Sequence, residues 1–64
     1  MTSDEKLNAI YDVEQNVRIE AFWDAGWTFS IGDSSNGFKV HNAFDTFTEG
    51  VDWLYKKVIM DGVW

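Results

Sequence analysis

The run GWTFSIGDSSNGFKVHNAFDTFTEGVDWLYKKVIM, Gly26 to Met60, decides the fold. It reads as two short aromatic strands and a capped helix. In Trp27–Ile31 the apolar residues Trp27, Phe29 and Ile31 alternate with Thr28 and Ser30, the pattern of a sheet with one buried and one wet face. Gly32–Gly37 is polar and ends in Asn36-Gly37, a strong hairpin signal. Gly37–His41 is the next strand, with Phe38 and Val40 expected to continue the apolar face and Lys39 and His41 to lie opposite. Thr46 and Glu49 have the spacing of a capping box, and Asp45 adds negative charge at the positive end of the helix dipole. From there Phe47, Val51, Leu54 and Val58 form a stripe that should cover the sheet. Gly50, costly in a helix, points to close approach of the strand beneath. Lys56 and Lys57 suit the negative helix end. Trp53, Met60 and Trp64 lie on a second ridge, which is either packed under another helix or left as an exposed patch for a partner.

Moving toward the N-terminus, Asp24-Ala25-Gly26 supplies a tight turn with Gly26 free to take a positive φ. Val17, Ile19, Ala21 and Trp23 alternate with Arg18, Glu20, Phe22 and Asp24, so Val17–Trp23 reads as a further strand. The competing reading extends the first helix through it. That helix starts at Thr2, whose spacing to Glu5 repeats the capping box, carries Leu7, Ile10 and Tyr11 on one narrow stripe, and is expected to end near Glu14 to Asn16. The expected architecture is α+β in a single domain, 1–64: a helix, a three-stranded antiparallel meander, and a C-terminal helix packed on one sheet face.

Sixty-four residues build one small core, and the absence of cysteine removes disulfides and thiolate metal sites together. Aromatic burial and a homodimer are the expected supports. Eleven acidic against five basic residues, a formal charge of −6, disfavour direct nucleic-acid binding and favour a basic protein partner. No apolar run has the length of a membrane span, and Met1–Glu5 is acidic where a signal peptide would be basic, so a cytoplasmic protein is expected.

His41 is the only imidazole, and no serine has the spacing of a nucleophile with a held base, so an enzyme is not expected and no cofactor is implied. Asp33–Gly37 lacks the ligand spacing of a calcium loop and reads as a turn. The aromatic residues carry more information. Phe22 should project opposite Trp23 and, with Lys39, His41 and the hydroxyls of Thr28 and Ser30, could form a platform on which a planar ligand or nucleotide stacks.

The order Asp24-x-Gly26, Phe29-Ser30-Ile31-Gly32-Asp33, Gly37-Phe38 and Asp45-Thr46-Phe47-Thr48-Glu49-Gly50 resembles the small HicB-type antitoxin domain over about residues 17–59. The resemblance implies a protein-binding inhibitor of a basic RNA-cleaving toxin. The chain departs from that family in lacking its Pro-Gly hairpin and its DNA-binding C-terminal segment, in having Gly50 for alanine, and in adding a helix in front. The order of elements is also similar in outline to a double-stranded RNA-binding domain, yet Asp45, Glu49 and Asp52 stand where that family needs basic residues. The expected function is a small acidic non-enzymatic interaction module. Phe22, Trp23, Lys39, His41, Trp53, Met60 and Trp64 are its candidate contact residues, and the alternative is a binder of a small planar ligand.

Overall fold

A computed structural model describes residues 1–62. The elements run α1 (Ser3–Asp12), β1 (Val17–Phe22), β2 (Gly26–Asp33), β3 (Gly37–Phe44) and α2 (Phe47–Tyr55), and a π-type turn, Lys56–Met60, continues α2. The strands form one antiparallel sheet in the order β1-β2-β3, the expected α+β meander with a helix on one face.

Both helix starts carry the expected threonine cap, but only the first closes the full capping box. The Thr2 amide donates to Glu5 Oε1 at 2.8 Å and the Glu5 amide donates to the Thr2 hydroxyl at 3.2 Å, a closed capping box. The bond from the Thr2 amide, then that from its hydroxyl, holds the Glu5 carboxyl below the usual range. At α2 the Glu49 amide donates to the Thr46 hydroxyl at 3.2 Å, and that hydroxyl donates to Glu49 Oε1 at 2.8 Å. This second cap satisfies one backbone amide rather than two.

Helix α1 ends at Asp12, earlier than its sequence suggests, because Glu14 adopts a left-handed φ of 60°. The Glu14 amide donates to the Tyr11 carbonyl at 3.0 Å, as the residue after a helix cap commonly does, although glycine is the usual occupant. The turn separates α1 from β1 and rules out the continuous helix through Trp23.

Both hairpins close over three residues, Trp23–Ala25 and Ser34–Asn36. Each ends in a left-handed glycine, Gly26 at φ 92° and Gly37 at φ 86°, conformations that a Cβ would strain. β3 runs to Phe44, three residues beyond the expected strand.

One face of the sheet carries the core. Phe29 and Ile31 from β2, Val51, Leu54 and Val58 from the C-terminal helix, and Ile10 from α1 are fully buried together. Phe47 lies half-buried at the end of that stripe, its ring 5.1 Å from Trp27 and 6.0 Å from Phe29. Gly50 sits directly over Phe29, and a Cβ built there would fall within the ring. This is the close approach its position in the helix signals. Helix α1 packs on α2 and on the π turn rather than on the sheet, and Lys6 pairs with Asp52 across that contact.

A bulge between Ile31 and Gly32 pairs Ile31 with Val40 but Gly32 with Phe38, leaving Lys39 as an extra residue. Phe38 therefore faces away from the core. Of the two readings of the second helix ridge, Trp53 follows the packed one rather than the exposed patch: its ring lies 5.6 Å from Phe44 and packs against the core from the side.

Candidate functional site

Trp23 is the most exposed large apolar side chain, at 99 % of its full surface. The strand expected to include it ends one residue earlier, at Phe22, so Trp23 stands at the tip of the first hairpin. The Ala25 amide donates to the Phe22 carbonyl at 3.0 Å and fixes the turn beneath it. Phe22, itself 46 % exposed, pairs with Gly26. Gly26 lies against the backbone of Phe44 and Asp45, so the β3–α2 junction and the start of α2 sit at the same end as the Trp23 turn.

That end is acidic. The segments 20–28 and 42–50 contribute Glu20, Asp24, Asp45 and Glu49 and contain no lysine, arginine or histidine. Among the described residues the ion pairs are Lys6 with Asp52 and Arg18 Nε with Glu20 Oε1 at 3.1 Å. Among the described residues Asp24, Asp45 and Glu49 have no basic partner. An exposed indole among such carboxylates offers a cation a ring face and a counter-ion together.

The sheet face opposite the core is the second candidate surface. By register it presents Arg18, Glu20 and Phe22 from β1, Thr28 and Ser30 from β2, and Phe38, His41 and Ala43 from β3. Ser30 is flanked by Arg18 and His41 and is 2 % exposed although no helix lies over it. The Arg18 guanidinium stacks on the Phe38 ring at 4.1 Å from its centroid. That pair was hidden in the sequence, because only the bulge brings Phe38 to this face.

The expected platform is only partly assembled. Phe22 and His41 share the face, but they lie on opposite edge strands, four β2 residues apart in register, about 13 Å along the strands and about 10 Å across. Lys39 stands at the bulge on the β3 edge and is exposed. The stacking surface of Phe38 is occupied by Arg18. Met60, 70 % exposed, lies at the end of the π turn, Trp53 belongs to the core margin, and Trp64 lies outside the described residues.

The second hairpin turn is organised by a carboxylate. Asp33 Oδ1 accepts from the amides of Asn36 at 2.7 Å and Ser35 at 2.9 Å, while Oδ2 accepts from the Asn16 and Asn36 side chains at 2.8 and 3.2 Å. The Asn36 amide first, then the Asn16 and Asn36 side-chain amides, hold its carboxyl below the usual range. Its oxygens thus serve the turn. Among the described residues no group of three or more His, Cys, Asp or Glu could hold a metal ion. A shallow cleft of about 330 Å³ between α1 and β1 is lined by Tyr11, Glu14, Gln15 and Asn16 and pairs no base with a nucleophile. No helix among the described residues is long and apolar enough to cross a membrane. Compared with known proteins, the chain matches no family model, no curated protein and no solved structure.

Proposed function

We propose that this chain is a small acidic interaction module, without catalytic activity of its own, that binds a basic protein through the end of the sheet bearing Trp23. The observation that carries the reading is the full exposure of Trp23 beside Phe22, on an end where Asp24, Asp45 and Glu49 have no basic partner among the described residues. Large aromatic anchors ringed by polar groups are where binding energy concentrates, and truncating one costs about 2 kcal/mol or more. The carboxylates would steer a cationic surface toward that anchor and make association salt-dependent. Inhibition of a basic, RNA-handling enzyme is the form of this binding that the HicB-like resemblance implies.

Capture from an extract of the host, at low and at moderate salt, tests the reading with wild-type chain beside Trp23→Ala and Asp24→Asn. The expected result is a basic protein retained at low salt, weakened by salt and by Asp24→Asn, and lost with Trp23→Ala. Recovery of no basic protein at either salt, or recovery indifferent to Trp23→Ala, overturns it.

A further inference from the structure

We infer that the open face of the sheet is a self-association surface on which a second copy of this chain stacks, sheet against sheet, as a weak dimer. The first argument is charge. The face carries one cation and one carboxylate, Arg18 and Glu20, already paired with each other, together with neutral residues and His41. Its formal charge is zero in a chain of −6, so the whole excess of negative charge lies on other surfaces. Two copies meeting through those surfaces bring their carboxylates together; two meeting through this face keep them farther apart and better screened.

The second argument is shape. The molecule measures 31 × 30 × 16 Å, a plate one sheet and one helix layer thick, with the core on one side of the sheet only. The central strand offers only Thr28 and Ser30 to the open face, and the Arg18–Phe38 stack reaches across it from β1 to β3 and leaves Ser30 2 % exposed, so a second sheet approaching to about 10 Å would meet that stack. Phe22 and the Arg18–Phe38 stack are the larger groups that such an approach would cover.

Area sets the strength. Eight-residue strands span about 26 Å and three strands about 14 Å, a footprint of about 360 Å². A standard stable interface buries about 800 Å² on each partner. The dimer is therefore concentration-dependent rather than obligate. It does not rest on the proposed binding of a basic protein, and its test uses residues away from Trp23.

Sedimentation of the full chain from micromolar to millimolar concentration at physiological salt reads the mass directly. Wild type should move from 7.4 kDa toward twice that value. Ala43→Lys, on the open face, makes the chain less acidic and so would favour association through any other surface; here it should weaken the dimer by about tenfold or more. Asn8→Lys, the same charge change on the exposed side of α1, should leave the dimer intact. A mass of 7.4 kDa throughout, or an Ala43→Lys chain that associates like wild type, overturns the inference. Amide chemical shifts of the wild-type chain give a second readout that needs no variant. On concentration, Thr28, Ser30 and His41 should move while the outer face of α1 stays still, and the opposite distribution refutes the stacked arrangement.

Discussion

Replacing Gly50 with alanine sets helix propensity against core packing, and the structure says which wins. In an exposed helix the change would stabilise by about 1 kcal/mol. Here the new methyl would fall within the ring of Phe29, which is fully buried and hemmed in by Phe44 and Phe47 at 6.1 and 6.0 Å. Overpacking of this kind costs about 1–3 kcal/mol beyond any propensity gain, so a net loss of about 1–2 kcal/mol is expected. For a chain this short that is a large fraction of a total stability of about 3–10 kcal/mol. It corresponds to a fall in Tm of about 4–8 °C per kcal/mol. Urea unfolding of four chains gives the answer: wild type, Gly50→Ala, Phe29→Leu and the double variant. Phe29→Leu removes Cε1 and Cζ, two of the three ring atoms that the methyl would strike. In that background Gly50→Ala should cost less than in wild type or become stabilising, a coupling of about 1 kcal/mol or more. A stabilising Gly50→Ala in wild type, or additive effects in the cycle, would refute the close approach of α2 to β2.

The same unfolding assay reaches two other features. Glu14 holds a left-handed φ at the end of α1, which costs a side-chain-bearing residue about 1–2 kcal/mol; Glu14→Gly should recover about 0.5–1 kcal/mol of this after glycine's larger chain entropy is counted, and a destabilised variant would contradict the assigned backbone. Asp33 has a carboxyl pKa depressed by the Asn36 amide and its neighbours. Its contribution is therefore full above the unfolded value of about 3.9 and is lost as pH falls through the lower folded value. Asp33→Asn should flatten the fall of stability in that acid window, and an unchanged acid slope would show that these bonds do not form in solution.

Much of the architecture is legible in the chain because local chemistry and global packing agree. Thr2 and Thr46 mark the helix starts, Gly26 and Gly37 close the hairpins, and the alternation around Phe29 separates a buried from an open face. What escapes is whatever depends on one residue of slippage. The bulge at Lys39 reverses Phe38, because a period-two reading cannot register an extra residue. The end of β1 at Phe22 moves Trp23 from the sheet face it would share with Val17, Ile19 and Ala21 to a turn, where it is the exposed tip. Trp53 looked displaced from the helix stripe, and its burial against Phe44 needed the extension of β3, which its residues Asn42 and Ala43 do not announce. The left-handed turn at Glu14 carries no glycine to signal it.

The docking of α1 on α2 has a kinetic consequence. The hairpins close across three-residue turns, and α2 packs on the two strands that immediately precede it. By contrast Lys6 meets Asp52 across 46 residues of chain. Closing a loop of that length costs about 2 kcal/mol more entropy than closing a hairpin turn. The sheet and α2 can therefore assemble first, with α1 added after the rate-limiting step. Truncating Leu7, whose contacts belong to that last step, would speed unfolding and leave the refolding rate nearly unchanged.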